Sequence, residues 1–216
     1  MRLKLFLLSI FFLVLFTYFS YTVAKETFQK IDFDTTVKLQ DSLPKKFDGI
    51  FSYFSLLGSA EITVGFCFIC AILYLLRARL LAFFGWLMIV PATMLEIFGK
   101  LVLFHPSPPV FFHRSILPTT LPSFYVHTDF SYPSGHMTRT IFIITIFTVW
   151  LFVFRKGFNR LISLGILATF ALGMGITRVY LGEHWLSDVI GGALLGFGMG
   201  FFASGLIFRN KIANIA

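Results

Sequence analysis

The chain has 216 residues, of which 57% are hydrophobic and 13% are charged, and its formal net charge is +8. Soluble domains have roughly a quarter of their residues charged, and disordered segments lack the apolar and aromatic residues that are in excess here. The composition therefore excludes a soluble or disordered protein and predicts an integral membrane protein. The basic residues punctuate apolar runs instead of forming one solvated face, so we expect no nucleic-acid partner.

Six apolar stretches approach the roughly 20 residues that a helix needs to cross a bilayer core. The sequence therefore predicts an all-α bundle of six transmembrane helices, at Leu5–Ala24, Leu56–Leu76, Leu80–Val102, Met137–Phe154, Leu161–Tyr180 and Trp185–Phe208. The predicted organisation is an N-terminal helix at 1–24, an extracytoplasmic linker at 25–55, a core at 56–208 and a cytoplasmic tail at 209–216. The first helix is interpreted as an uncleaved anchor, the alternative being a signal peptide cut after residue 24.

Lysine and arginine in short loops set the orientation of a membrane protein. One predicted side carries nine basic residues and no acidic residue: Arg2, Lys4, Arg77, Arg79, Arg155, Lys156, Arg160, Arg209 and Lys211. The other side holds the mixed segment Lys25–Asp48 and the loop Leu103–His136. We therefore expect both termini in the cytoplasm and the long polar loops outside.

The linker at 25–55 is amphipathic, so we expect it to lie on the outer membrane surface or to cap the bundle. No candidate for chemistry was found in it. Cys67 and Cys70 have the spacing of a redox or metal pair, but they lie in an apolar run without a second ligand pair, and we interpret them as packing residues.

Ionisable residues inside membrane spans are costly and are functional candidates by default. In this chain they gather at the predicted outer ends of the spans: Glu61, Glu96, Lys100, His136, Arg139, Arg178, His184 and Asp188. Side chains at one depth on several helices predict one shared site. Glu96 and Lys100 are four residues apart, and the sequence leaves open whether they form a structural ion pair or tune this site.

His184 and Asp188 are also four residues apart, so a helix places them on one face. The carboxylate can then accept the proton of one imidazole nitrogen and leave the other nitrogen free to attack, as in nucleophilic catalysis. Arg178 precedes His184 by six residues across a short turn, where it can present a bidentate charge to an oxyanion.

The run Tyr132-Pro133-Ser134-Gly135-His136 leads directly into the fourth span. Its serine can cap the helix, and the amides of Gly135 and His136 can cradle an anion. His136 is placed to protonate a leaving oxygen, and Lys100 adds a point charge. Such a set suits a phosphoryl group, whose transfer depends on positioning and charge stabilisation.

These residues resemble the signature of the type 2 phosphatidic acid phosphatase (PAP2) superfamily of membrane lipid phosphatases. The family signature is Lys-x6-Arg-Pro, then Pro-Ser-Gly-His, then Ser-Arg-x5-His-x3-Asp. This chain has Lys100-x6-Ser107-Pro108, Pro133-Ser134-Gly135-His136 and Thr177-Arg178-x5-His184-x3-Asp188. The resemblance covers residues 48–208, and the second and third motifs in this order are highly specific.

The resemblance implies a metal-independent phosphatase without a cofactor, in which His184 is the nucleophile and forms a phosphohistidine. It implies further that Asp188 orients His184 and that His136 is the general acid. The phosphoryl oxygens would be held by Lys100, Ser134, Gly135 and Arg178, with Ser107 as a weak ligand.

Two positions depart from the signature. Thr177 replaces a serine and keeps a hydroxyl, whereas Ser107 replaces an arginine and removes a charge from the phosphate clamp. We hypothesise that Arg139, one turn after His136, fills this gap; His105 and Arg114 are other candidates.

The resulting expectation is a lipid phosphatase of the cell membrane that acts at its outer face. Its substrate would be a phosphorylated membrane lipid such as undecaprenyl pyrophosphate, phosphatidylglycerophosphate or phosphatidate, and the sequence does not select among them. Two alternatives stay open: transfer of the phosphoryl group to another lipid, and a non-catalytic protein that binds or translocates phospholipid. The oligomeric state is not predicted.

Overall fold

The computed structural model describes residues 2–117 and 130–208, and within these ranges the chain forms nine α-helices. They are α1 (Arg2–Ala24), α2 (Gln29–Ser42), α3 (Asp48–Leu56), α4 (Ala60–Leu76), α5 (Leu80–Leu87), α6 (Ile89–Val102), α7 (Gly135–Phe154), α8 (Phe158–Tyr180) and α9 (Leu186–Ile207). Short 3-10 helices lie at Lys45–Phe47 and Val110–Phe112. The tail predicted at 209–216, with Arg209 and Lys211, lies outside the described residues, as does part of the loop after α6.

Six helical segments of the described chain are long and apolar enough to cross a membrane, which confirms the predicted all-α, six-span architecture. The second segment, Lys45–Leu76, is longer than predicted because α3 leads into α4 through a turn at residues 57–59. Ser59 starts α4, since its side chain accepts a hydrogen bond from the N–H of Ile62 at 3.4 Å.

The third predicted span is divided into two helices at Met88. Pro91 explains the division, because it has no N–H to donate to the carbonyl of Leu87, four residues earlier. The second helix restarts at once, and the N–H of Ala92 donates to the Met88 carbonyl at 3.1 Å. Proline is tolerated here because it falls in the first turn of α6, where N–H groups lack helical partners.

The centre of the bundle is formed by α7 and α9, which pack closely through a row of small residues on α9. Gly192 lies against the Ser134 carbonyl at the start of α7, and Gly200 lies against Thr145 further along it. The residue numbers of the contacting pairs increase along both helices. The helices are therefore parallel and begin at the same end of the bundle. Such close approach is typical of small-residue packing in membranes, where helices attract one another mainly through van der Waals contact.

Replacing Gly196 with leucine is expected to force α7 and α9 apart. Even a Cβ at this position would lie 2.6 Å from the Thr138 carbonyl oxygen and 2.8 Å from Ile141 Cβ. We expect a loss of stability of about 1–3 kcal/mol from overpacking, seen as a lower thermal midpoint of the detergent-solubilised protein. Gly165→Leu is the control, since a Cβ on Gly165 has no neighbour within 4 Å. Equal midpoints for the two variants would contradict the packing argument.

The first helix runs antiparallel to α9 along the outside of this pair. Leu13 packs against Gly198, and Phe6 packs against Gly205. Residues early in α1 therefore contact residues late in α9, as expected for antiparallel helices. Near the C-terminal end of α1, the hydroxyl of Ser20 lies within hydrogen-bond distance, 2.8 Å, of the Tyr132 hydroxyl. The first helix thereby contacts the segment that leads into α7.

The described members of the predicted basic side lie together, at the end of the bundle where α7 ends and α8 begins. There Arg79, Trp150 and Ile207 line one groove, which joins the α4–α5 turn to the ends of α7 and α9. The described basic residues of this side are Arg2, Lys4, Arg77, Arg79, Arg155, Lys156 and Arg160. These basic residues therefore lie at the end of the bundle opposite to the end at which α7 and α9 begin.

The segment predicted as an amphipathic linker folds into α2 and α3 at the opposite end of the bundle. Its polar side faces inward: Asp32, Thr36 and Gln40, spaced four residues apart on α2, are all buried. The apolar Ile31 and Phe33 are 53% and 47% exposed. Helix α2 therefore covers the bundle with a polar stripe and presents apolar side chains outward.

Candidate active site

The candidate site lies where α7 and α9 begin and where α6 and α8 end. The backbone N–H of Ser134, which precedes α7, donates to the Asp188 carbonyl of α9 at 3.0 Å. The third and second motifs of the sequence are therefore joined directly through the backbone. Gln40 of α2 donates from Nε2 to the carbonyls of Phe112 and Tyr180 at 2.7 and 2.8 Å, which attaches α2 to the same end.

The predicted pair of His184 and Asp188 is present. Nδ1 of His184 lies 3.2 Å from Oδ2 of Asp188, and the same oxygen accepts the N–H of Trp185 at 3.0 Å. Asp188 lies in the first turn of α9, where the helix dipole favours the ionised carboxylate. With Nδ1 held by this carboxylate, Nε2 of His184 is the nitrogen left for attack on a substrate.

A tight turn brings His184 close to the end of α8. Gly182 has a φ of +67°, a conformation that glycine adopts without steric cost. The N–H groups of Glu183 and His184 both donate back to the Arg178 carbonyl, at 3.2 and 3.3 Å. These bonds fix the main chain of His184 relative to Arg178.

The pKa of His184 lies below the usual value for histidine. Burial is the largest cause, and the positive charges of Arg178 and Lys100 act in the same direction, whereas Asp188 opposes them. A lowered pKa keeps the imidazole neutral, and therefore nucleophilic, at neutral pH.

With His184 as the proposed nucleophile, the pH profile of kcat/KM is expected to have its acid limb below pH 6.5, because protonation of His184 removes the lone pair that attacks. Lys100→Gln removes a charge that lowers this pKa, so the acid limb should move to higher pH in that variant. The substrate phosphate also titrates near pH 6, but its limb would not move with the substitution. An unchanged limb in Lys100→Gln would contradict the assignment to His184.

Glu96 holds two of the predicted phosphate ligands together. Its carboxylate accepts from Nζ of Lys100 at 2.8 Å and from Nη1 of Arg139 at 2.6 Å. It also lies directly against the Cα of Gly135, where any larger residue would collide with it. The structure thus shows an ion pair between Glu96 and Lys100, with the carboxylate beside the start of α7.

Arg178 is almost fully buried and reaches across the site. Its guanidinium donates from Nη1 to the hydroxyl of Ser55 in α3 and from Nη2 to the carboxylate of Glu183. Both His136 and His184 lie within range of its charge. These two partners fix the plane of the guanidinium, a requirement for bidentate contact with an oxyanion.

His136 occupies the first turn of α7 and lies within electrostatic range of Arg178, Arg139, Lys100 and His184. The turn before α4 covers it, since a Cβ on Gly58 would lie 3.1 Å from its Cδ2 atom. The two predicted catalytic histidines therefore lie within electrostatic range of each other and of these cations.

Ser134 is completely buried, and within the described part of the chain its hydroxyl oxygen has no hydrogen-bond partner. A buried polar atom without a partner costs free energy, and such atoms are commonly found where a ligand or water completes the bonding. The hydroxyl at the start of α7 is consistent with the predicted phosphate-binding role of Ser134.

Ser107 and Arg114, two residues considered for the phosphate clamp, lie at this end of the bundle in different surroundings. Ser107 is half-buried and follows Pro106, whose carbonyl accepts from Nε1 of Trp185 at 2.8 Å. Arg114 donates to the carbonyl of Leu43 and to the hydroxyl of Tyr180, at 3.3 and 3.2 Å. These contacts attach Arg114 to α8 and to the end of α2.

Two residues near the candidate site, Asp32 and Ser55, were not among the site residues predicted from the sequence. Asp32 of α2 accepts hydrogen bonds from the N–H and the hydroxyl of Ser187, at 2.8 and 2.7 Å. Ser55 of α3 accepts from Arg178. The available signal was the i, i+4, i+8 spacing of Asp32, Thr36 and Gln40, which predicts a polar face on α2. Burial raises the pKa of Asp32, although its two bonds from Ser187 act in the opposite direction.

The fold and this end of the bundle define a class of protein: a multi-pass helical membrane protein with a buried, charged cluster where two parallel helices begin. The chain belongs to the PAP2 superfamily, whose family model matches residues 81–212, more than half of the chain. The match confirms the resemblance drawn from the sequence motifs.

Individual relatives agree with this membership. The chain is 35% identical over 88 residues to phosphatidylglycerophosphatase B of Bacillus subtilis (strain 168), a stretch that covers 39% of this chain and 42% of that relative. The fold is similar to the crystal structure of a transmembrane PAP2-type phosphatidylglycerolphosphate phosphatase from Bacillus subtilis, with a TM-score of 0.72, 20% identity and coverage of 95% and 97% of the two chains. Aquifex aeolicus LpxE gives a TM-score of 0.56 at 22% identity, over 80% of this chain and 94% of that one.

Proposed function

We propose that this protein is a metal-independent phosphatase that hydrolyses the phosphomonoester or pyrophosphate headgroup of a membrane lipid. The observation that carries the proposal is the pairing of His184 with Asp188 within reach of Arg178 and Lys100. A protein that only binds an anion needs cations, but it has no need of an imidazole oriented by a carboxylate. The similarity to phosphatidylglycerophosphatase B makes phosphatidylglycerophosphate the first substrate to test.

In the proposed reaction, Nε2 of His184 attacks the phosphorus atom and the bond to the leaving oxygen breaks. His136 gives a proton to that oxygen, so the lipid alcohol or lipid monophosphate leaves without building up a further negative charge there. Water then attacks the phosphorus atom of the phosphohistidine and gives a proton back to His136, the bond between phosphorus and Nε2 of His184 breaks, and inorganic phosphate leaves. The phosphoryl oxygens are held in this proposal by Lys100, Ser134, Gly135 and Arg178, with the helix dipole of α7 adding to their charge.

We place the site at the outer face of the plasma membrane, with both termini in the cytoplasm. The support is the separation of charge: the basic loop residues lie at the end of the bundle opposite to the site. The outward apolar residues of α2, Ile31 and Phe33, are suited to contact with lipid beside the site.

The experiment is phosphate release by the purified protein in detergent, with phosphatidylglycerophosphate, phosphatidate and undecaprenyl pyrophosphate in parallel and with EDTA present. Release that survives EDTA and is lost in His184→Ala is the expected result, and the order of rates identifies the substrate. Transfer of labelled phosphate to another lipid instead of water would support phosphotransfer. A His184→Ala protein that keeps its cellular function would support a binding or translocating role.

Arg139→Ala is expected to lower kcat/KM by about 10–100-fold, because we assign to Arg139 the charge that Ser107 lacks. A charge-assisted hydrogen bond contributes about 1.5–3 kcal/mol, which corresponds to that range. Ser107→Arg in the Arg139→Ala background should restore most of the activity.

A control is needed because Arg139→Ala also leaves the buried carboxylate of Glu96 with one partner fewer. If that were the whole effect, adding Glu96→Gln to Arg139→Ala would restore activity as well as Ser107→Arg does. Full activity in Arg139→Ala alone would refute the assignment.

A further inference from the structure

Behind the His184–Asp188 pair lies a buried polar network that links α9 to the loop after α6 and to α2. Nε2 of His105 lies 3.5 Å from Oδ1 of Asp188 and 3.3 Å from the hydroxyl of Ser187. Asp32 lies beyond, with Oδ2 3.9 Å from the same nitrogen and 2.7 Å from the Ser187 hydroxyl. All four residues are 5% exposed or less.

The hydrogen bonds around Asp188 show what this network can supply. Oδ2 receives Nδ1 of His184 and the N–H of Trp185, whereas Oδ1 is buried and has no well-directed hydrogen-bond donor among the described residues. The hydroxyl of Ser187 gives its proton to Asp32. Nε2 of His105, 3.5 Å away, is close enough to direct an N–H at Oδ1.

Asp32 and Ser187 fix where this nitrogen lies. Asp32 takes both the N–H and the hydroxyl proton of Ser187, so the lone pairs of that hydroxyl face His105. The proton on Nε2 then faces the Ser187 oxygen at 3.3 Å, with Oδ1 of Asp188 on the adjacent residue of α9 3.5 Å from the same nitrogen. Nothing in the first motif of the sequence assigns such a role to His105.

We propose that His105 is a positioning residue for the reaction, with Ser187 and Asp32 as its supports. Its Nε2–H holds Oδ1 of Asp188, which stops the carboxylate from rotating and keeps Oδ2 on Nδ1 of His184. His105 does not touch the substrate; it acts through Asp188 on the orientation and tautomer of His184. This role rests on the proposed function of the His184–Asp188 pair.

The variants that test the proposal differ in the atoms they retain. His105→Leu removes the donor, and His105→Gln keeps an N–H close to the position of Nε2. In His105→Asn the amide is too short to reach that position. His113→Leu is the matched control, because His113 is exposed and lies in the same loop. Ser187→Ala tests the support while leaving the backbone N–H of Ser187 on Asp32.

Two readouts are measured on each variant: phosphate release, resolved into kcat and KM, and the affinity for inorganic orthovanadate, an analogue of the phosphoryl-transfer transition state. Residues that hold a metal ligand in its orientation typically matter by about 10–100-fold, and we take the same range for a residue that holds Asp188. We expect His105→Leu and His105→Asn to lower kcat and vanadate affinity by about this factor with KM little changed, and Ser187→Ala to lower them by about tenfold. His105→Gln and His113→Leu should stay within about threefold of the wild type.

Equal losses in His105→Gln and His105→Leu would overturn the proposal, since they would show that only the bulk of the ring matters. A His105→Leu protein with wild-type kcat and vanadate affinity would overturn it too. If the wild type binds vanadate but releases no phosphate from any lipid, the proposed hydrolysis fails and the vanadate series alone decides the role of His105. A wild type that shows neither property would overturn both proposals.

Discussion

Asp188→Asn is expected to reduce kcat by about 10⁴-fold while leaving the protein folded. The amide fills the same volume but is neutral, so it no longer stabilises the positive charge that develops on the imidazole of His184 during attack, and an amide NH2 group facing Nδ1 would hold the imidazole in the wrong tautomer. The magnitude is that of the equivalent substitution in serine proteases, where an aspartate has the same task. Single-turnover phosphate release from phosphatidylglycerophosphate gives the rate of the chemical step directly.

Asp41→Asn provides the control, since it makes the same chemical change on an exposed residue of α2. Thermal midpoints of both variants separate loss of chemistry from loss of fold. A reduction of less than tenfold in Asp188→Asn, with an intact midpoint, would show that Asp188 does not orient His184.

Arg178→Gln is expected to cost about 10²–10³-fold in kcat, the range seen when one donor to a developing oxyanion is removed. Arg178 supplies a planar charge held by Ser55 and Glu183, and glutamine keeps some hydrogen bonding but no charge. Arg178→Lys should recover only part of the loss, because an ammonium group cannot contact two oxygens in one plane. Initial rates over a range of substrate concentrations distinguish an effect on kcat from one on KM.

Arg114→Gln is the matched control for Arg178→Gln. Arg114 lies at the same end of the bundle and bonds to the Leu43 carbonyl and the Tyr180 hydroxyl. If the Arg114 and Arg178 variants lose the same activity, Arg178 supports the fold and does not contact the phosphoryl group.

Most of the fold follows from the sequence, because the cost of placing charges in lipid makes a transmembrane helix readable from hydropathy alone. Local helix chemistry was harder to predict. The division at Met88 depends on where Pro91 falls relative to a helix start, and hydropathy does not register it. The extension of the second segment to Lys45 arises because α3 is apolar enough to continue the run.

Within the candidate site, spacing predicted contacts that lie on one helix or across one turn. The His184–Asp188 and Glu96–Lys100 pairs are of this kind, each separated by four residues. Contacts between distant segments were not predictable, because they depend on the tertiary fold. Asp32 meets Ser187 across 155 positions, and Arg139 meets Glu96 across 43. Their roles in catalysis are proposals that the variants above test.

The inward polar stripe of α2 is a feature of the linker segment that the sequence analysis did not predict. A helix with alternating apolar and charged residues ordinarily turns its apolar side to the protein. Here the neighbouring surfaces are Ser187 and the carbonyls of Phe112 and Tyr180, which favour polar partners.

The spread of the Asp32–Ser187–His105–Asp188 network along the chain bears on how the protein matures. Synthesis proceeds from the N-terminus, so α2 emerges while the residues it will bind are still about 155 positions from being made. Until α9 docks, Asp32 lacks its bonds from Ser187, and His184 and Asp188 belong to the last part of the bundle to be made. On the proposed mechanism, activity therefore arises only when α9 docks beside α7, and chains that end before residue 184 lack the proposed nucleophile.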